Sequence, residues 1–303
     1  MLQYFFEGQI IDNSMPAERA STNKSQQPQA MVVTDLDGTL LNSAGRLSRN
    51  NMETLQSLAA ENILRVAATG RSLWSAQHVI AATAPLDYLL FSSGSGIVDW
   101  PVGELLHSRQ LSRQQALGAA SILRQYQCDF MLHAAIPDNH QFWYHRSCTD
   151  NPDFEDRIQR HLPFCRPWRD SELIHDTYTQ LLVVQPAQHL FVRRQQLAAE
   201  LAPLSVIRAT SPLDHVSTWF EVFPPQVSKA SGVRWLAERA GLHAESVLVV
   251  GNDYNDIEML EWAHHASVVA NAPDELRQRY GTVPNNDEDG FSAAVQNWLA
   301  EKS

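Results

Sequence analysis

Short, nearly unbroken apolar runs alternate with helix-patterned stretches in this chain, and that alternation constrains its fold more than any other feature. AMVVT (residues 30–34), ENILRVAATG (61–70) and LDYLLFSSGSG (86–96) are such runs. NNMETLQSLAAEN leads into the second and RSLWSAQHVIAA leaves it, both read as helices. The pattern returns with SKASGVRWLAERAG (228–241), SVLVVGNDYNDIEML and ASVVANA. In the first of these Val233, Leu236 and Ala240 line one helix face, and Gly241 suits the position just past the helix end. Strands that are apolar throughout are buried on both faces, and strands joined by helices run parallel. The expectation is an α/β core whose ligands bind beyond the carboxyl ends of the strands.

Between residues 101 and 222 the pattern changes to a mixture rich in Gln, His, Arg and aromatics, with strands expected at TQLLVVQP (179–186) and TWFEVFP (218–224). The chain is 303 residues long, which favours two domains or one domain with a large insertion. The reading is a core made of residues 30–100 and 223–303, with an α+β unit, residues 101–222, inserted into it. The stretch STNKSQQPQA is polar and poor in core formers, so residues 1–29 are expected to be a poorly ordered tail. MLQYFFEGQII lacks a basic leading region and a cleavage pattern, which argues against a signal peptide. No apolar run approaches a membrane span. The formal charge of −11 argues against nucleic acid as a partner, because phosphate backbones need basic faces. Cys128, Cys148 and Cys165 form no CxxC pair, which fits a reducing, cytoplasmic setting without disulfides or a zinc cluster.

The chemistry-bearing residues sit where the runs end. In VVTDLDGTLLN, Asp35 and Asp37 stand one residue apart at the end of the first strand. Gly38 lets the chain turn at once, so both carboxylates can converge on one cavity. Two such carboxylates repel unless a cation or a shared proton lies between them, and Mg²⁺ is a cation that takes carboxylate and phosphate oxygens. The plain alternative is a turn that uses Asp for local hydrogen bonds. A calcium loop is excluded by the missing Gly at its sixth position and Glu at its twelfth. GNDYND (251–256) supplies Asn252, Asp253, Asn255 and Asp256, as a cation loop or as a solvated turn capping a helix. Thr69 either caps the following helix or joins the backbone after it in holding a phosphate. Lys229 opens a helix, where a cation opposes the macrodipole; a nearby anion would explain it, and so would simple exposure.

D-x-D-G-T-L, T-G-R, S-K and G-N-D-x-N-D follow one another in order, each at a strand end or helix start. In this the sequence resembles the haloacid dehalogenase (HAD) superfamily, and within it the Cof-like phosphatases, from about residue 30 to the C-terminus. VVANAPDELR and NNDEDGF resemble the tail of that family. The resemblance implies a Rossmann-like parallel-sheet core with an inserted α+β cap, residues 101–222, that closes over the site and chooses the substrate. It implies a Mg²⁺-dependent phosphatase acting on a small phosphorylated metabolite through an aspartyl-phosphate. Asp35 is then the nucleophile and Asp37 the general acid and base. Thr69, Gly70 and Lys229 hold the phosphoryl group, and Asp35, Asp37, Asn252, Asp253 and Asp256 form the metal site. The sequence departs from the family at Asn252, where Asp is usual, so either the Asn252 amide or a shifted Asp253 takes that ligand place. The rivals are a phosphotransferase or phosphomutase of the same superfamily, and a catalytically weak member that only binds a phosphorylated ligand. The polar and aromatic stretch IPDNHQFWYHR (136–146) reads as cap core with exposed polar residues, or as a surface facing the substrate.

Overall fold

The computed structural model describes residues 27–147, 150–169, 175–186 and 192–302; most of the expected tail and Cys148 lie outside them. The chain begins with β1 (Ala30–Thr34), α1 (Arg49–Ala60), β2 (Ile63–Ala68), a short α2 (Leu73–Gln77), β3 (Tyr88–Phe91), β4 (Gly96–Asp99) and β5 (Leu105–Ser108). It then builds β6 (Leu111–Ser112), α3 (Arg113–Gln125), β7 (Phe130–His133), β8 (Phe142–His145), α4 (Pro152–Arg160) and β9 (Cys165–Pro167). β10 (Thr177–Tyr178), β11 (Leu181–Gln185), α5 (Arg194–Glu200), β12 (Ser205–Thr210) and β13 (Thr218–Phe223) complete that unit. The chain returns through α6 (Lys229–Ala240), β14 (Val247–Gly251), α7 (Ile257–Trp262), β15 (His265–Val269), α8 (Asp274–Arg279), β16 (Gly281–Val283) and α9 (Gly290–Lys302).

The described strands form an eight-stranded sheet in the order β16-β15-β14-β1-β2-β3-β4-β5. It is parallel from β16 to β3 and antiparallel from β3 to β5. Both of its faces are covered, as the apolar runs require. Val32, Ala67 and Leu89 pack with Leu55 and Leu58 of α1 and with Phe291 and Trp298 of α9. Val33, Val66 and Val249 pack on the other side with Val233 and Leu236 of α6 and Met259 of α7. A separate six-stranded sheet, β12-β13-β11-β7-β8-β9, is antiparallel except for its β8–β9 edge. Helices α3 and α5 cover one of its faces, while Phe154 and Ile158 of α4 cover the other.

The change in composition at residue 101 falls inside the core sheet, not at its border. β4 and β5 make a hairpin that carries the sheet on to Ser108. β5 is an edge strand whose end residues are exposed and whose middle pair is half-buried, so its composition is that of a surface. Helix α2 ends sooner than its pattern predicts, at Gln77, after which Ile80 turns into the core. β3 stops at Phe91, and the Gly/Ser loop at the end of that run turns the chain back into β4 through Ser92 and Ser93, with φ values of 47° and 51°.

Candidate active site

Four strand ends and helix starts meet at one edge of the core sheet. β1 leaves the sheet through Asp35, Leu36, Asp37 and Gly38. Gly38 has φ +73°, a backbone state glycine adopts freely, and a Cβ there would lie 2.5 Å from Asn252 Nδ2. Buried Asp35 accepts a hydrogen bond from Lys229 Nζ at 2.5 Å. Lys229 also donates to Asp256 Oδ1 at 2.7 Å and to Asn255 Oδ1 at 3.3 Å. It is the first residue of α6, whose N-terminus is capped by Ser228 accepting from the Ser231 N–H. The helix dipole disfavours a cation at that place; the two carboxylates are what hold it there, only 1% exposed. Asp256, wholly buried, accepts from the backbone N–H of Asn252 at 2.8 Å and of Asp253 at 3.1 Å, and so fixes the loop after β14.

Asp37 points to a different partner. Its carboxylate takes a two-pronged ion pair from Arg71, with Nε–Oδ2 and Nη2–Oδ1 both 2.7 Å. Arg71 follows Thr69 and Gly70 at the end of β2, and its N–H donates to the Thr69 hydroxyl at 3.1 Å. Asp253 points away from Asp35: its carboxylate accepts from the backbone N–H and hydroxyl of Thr210, at 2.8 and 2.9 Å, on the second sheet.

With Asp35 ionised, the trio of Asp35, Asp256 and Lys229 would carry one negative charge in excess in a buried place. Burial is the largest influence on Asp35 and pushes its carboxyl up to about 8, with Asp256 and Asp37 adding to the effect and Lys229 opposing it. Burial alone would lower Lys229, but Asp256 and Asp35 outweigh it and hold the ammonium above its ordinary value. A bound cation would relieve the excess. The side chains that could reach it offer oxygen, which suits Mg²⁺. Among the described residues no three of His, Cys, Asp and Glu gather into a self-sufficient metal cluster. Mg²⁺ does not require one, since it is commonly held by one or two carboxylates together with phosphate oxygens and water.

The second sheet closes over this edge. Ser93 donates from its hydroxyl to Glu221 Oε2 at 2.7 Å, and a Cβ on Gly70 would lie 3.5 Å from Glu221 Oε1. Asn139 Nδ2 donates to the Ser92 hydroxyl at 2.7 Å.

The structure thus gathers Asp35, Asp37, Thr69, Gly70, Lys229, Asn252 and Asp256 around the ends of β1, β2 and β14, and turns Asp253 toward the second sheet. Sequence reasoning did not single out Arg71, Ser92, Ser93 or Glu221, and it took in Asn139 only as part of the stretch 136–146, weighed as a surface facing the substrate. Arg71 is the third residue of the T-G-R motif, and the two serines lie in the Gly/Ser loop after β3. Glu221 had a signal too, as the lone carboxylate in the apolar strand TWFEVFP.

Comparison with known proteins matches residues 32–295 to a family described as haloacid dehalogenase-like hydrolase. The chain is 24% identical over 300 residues to 5-amino-6-(5-phospho-D-ribitylamino)uracil phosphatase YwtE of Bacillus subtilis (strain 168), covering 89% of this chain and 98% of that one. Among solved structures it is similar to BT1666 from Bacteroides thetaiotaomicron, with a TM-score of 0.72 at 20% identity, covering 94% of this chain and 98% of that one. It is also similar to BT4131, described as a HAD subclass IIB sugar phosphatase, with a TM-score of 0.69 at 16% identity, covering 89% and 98% of the two chains. Those two likenesses establish the fold: a parallel core sheet with a separate mixed-sheet cap.

Proposed function

The chain belongs to the haloacid dehalogenase-like hydrolases, as a phosphatase of their Cof-like branch, and from that premise we propose that Asp35 is the nucleophile of a Mg²⁺-dependent hydrolysis of a small phosphorylated metabolite. One observation supports this most: the buried Asp35 carboxylate is held in place through Oδ1 by Lys229. A nucleophile fixed in this way needs no reorganisation to meet a phosphorus atom.

In the first step an Asp35 carboxylate oxygen bonds to phosphorus, and the bond from phosphorus to the ester oxygen breaks. For this step Asp37 leaves its ion pair with Arg71 and carries a proton, which it gives to that oxygen, so the alcohol leaves neutral. In the second step Asp37 takes a proton from water, the water oxygen bonds to phosphorus, and the aspartyl bond breaks. Inorganic phosphate and the Asp35 carboxylate result. Arg71 orients Asp37 through their paired hydrogen bonds. Thr69, Gly70 and Lys229 hold the phosphoryl oxygens and offset their charge. Asp35, the Asp37 main chain and Asn252 would hold Mg²⁺, which when bound draws charge from the phosphoryl oxygens. Asp256 acts at one remove, orienting Lys229 and the loop that carries Asn252. The relatives' names support a small metabolite as substrate: one acts on a phosphorylated ribitylamino-uracil and another is a sugar phosphatase.

The test is phosphate release from a generic aryl phosphate with Mg²⁺. Asp35→Asn should remove turnover by several orders of magnitude while the circular dichroism spectrum stays that of the parent. A folded Asp35→Asn protein that turns over at a near-normal rate would refute the mechanism.

A further inference from the structure

Alternation along the strands of the cap sheet sets His133 on the same face as Met131 and Glu221 on the same face as Trp219, and Gln180, one residue before β11, continues the alternation from Leu182 beside His133. This is the face that Phe154 and Ile158 of α4 partly cover. Beyond α4 it runs out toward the core, where Glu221 meets Ser93 and Asn139 meets Ser92. The polar groups there are deeply buried yet incompletely bonded. His133, Asn139 and Gln180 are 4%, 2% and 5% exposed. His133 Nε2, Asn139 Oδ1, Gln180 Oε1 and Arg157 Nε have no hydrogen-bond partner among the described residues. Unpaired buried polar atoms are costly, and four on the part of the cap that meets Ser92 and Ser93 point to a ligand that pairs with them.

The direction of the missing bonds defines that ligand. His133 Nδ1 lies 2.8 Å from the Asn139 carbonyl oxygen, so Nδ1 carries the hydrogen and Nε2 presents a lone pair. Burial keeps the ring neutral, with its value pushed down to about 3. Asn139 Oδ1 and Gln180 Oε1 are acceptors, and Glu221 adds a carboxylate. The one unpaired donor of the four is Arg157, whose guanidinium lies 4.7 Å from the centre of the Trp219 ring. Glu221 and Asp153 both act on its charge, so Arg157 does not make the cleft positive.

Resting on the phosphatase reading above, we propose that His133, Asn139, Gln180 and Glu221 form the subsite for the leaving group, and that their acceptor-rich lining selects a hydroxyl-rich alcohol over an apolar or an anionic one. Hydroxyl hydrogens satisfy all four acceptors. An alkyl chain leaves them bare, and a second phosphate or a carboxylate brings further acceptors against Glu221. A site built to hydrogen-bond a substrate hydroxyl rejects the analogue that lacks it strongly.

The test compares kcat/KM for sorbitol phosphate, hexyl phosphate and phosphogluconate, with an aryl phosphate as a check on chemistry. The expected order puts sorbitol phosphate at least about tenfold above both others. Gln180→Met, close in volume but without the acceptor, should reduce the sorbitol-to-hexyl ratio by about tenfold or more. Equal or better use of hexyl phosphate or phosphogluconate by the parent overturns the proposal, as does an unchanged ratio in a folded Gln180→Met. Absence of phosphate release from every ester, the aryl phosphate included, sinks the phosphatase reading instead. Calorimetric binding of sorbitol phosphate then reads the subsite by itself. Binding about tenfold weaker in Gln180→Met than in the parent supports it, and equal or absent binding overturns it.

Discussion

Single residues show how burial converts ordinary side chains into constrained ones. His133 is neutral in the folded chain because burial dominates; Arg157 and His161 from the α4 segment and His140 from the following loop also disfavour its charge, and the Asn139 carbonyl opposes them only in part. The folded value of about 3 lies below the ordinary 6.5, so the unfolded chain takes up a proton that the folded chain refuses. Stability therefore falls as pH drops below about 6.5, continuing toward the folded value, and the His133 share is roughly 2 kcal/mol at about pH 5. Urea unfolding at neutral pH and at about pH 5 should show His133→Phe losing that much less than the parent. An equal acid sensitivity in both proteins would show that His133 is not the group responsible. Sequence alone marks Glu221 only as a lone carboxylate in an apolar strand and gives His133 no such mark. Only the registry of distant strands reveals what the two residues face. Asp35, Lys229 and Asp256 were legible because their spacing from strand ends is local information.

At the scale of elements, the parallel core was legible because its strands are apolar throughout. The backbone of the Gly/Ser loop after β3 was not, since serines at positive φ run against local preference and are held there by the packing around them. Helix α6 shows what that packing demands. A Cβ on Gly232 would sit 2.2 Å from Leu90 Cδ1 and 3.6 Å from Gly94 Cα, so the helix lies directly on β3 and the turn after it. Alanine would gain up to about 1 kcal/mol in helix propensity but would overpack the contact at a typical cost of 1–3 kcal/mol. Gly232→Ala should therefore lower stability by about 1 kcal/mol in chemical denaturation, and it should slow turnover as well, because α6 carries Lys229. A variant as stable and as active as the parent would mean that α6 has room to move.

In the whole molecule the loop after β14 serves two sheets at once. Asn252 lies against Gly38 beside Asp35 and Asp37, while Asp253 reaches across to Thr210. The sequence left open which of the two serves the metal. The geometry favours Asn252, because both Asp253 oxygens are engaged by the cap. Asn252→Ala should raise the Mg²⁺ needed for half-maximal rate by about tenfold or more. Asp253→Ala should change that requirement little and raise KM, since it loosens the cap. Rate measured against Mg²⁺ for both variants decides the matter, and the opposite ranking would move the metal to Asp253.

The bonds from Asn139 to Ser92, from Ser93 to Glu221 and from Thr210 to Asp253 tie the cap down beside the reacting groups themselves. At about 1 kcal/mol for each of these four hydrogen bonds, a form lacking all of them would be disfavoured by roughly a thousandfold. On the proposed function such a protein would be a valve whose seat is also its reaction vessel. Opening the cap would undo contacts at the ends of the core strands, so product release would draw on the same interactions as substrate choice, and a change that sharpens selection by tightening the cap would also slow the flow through it.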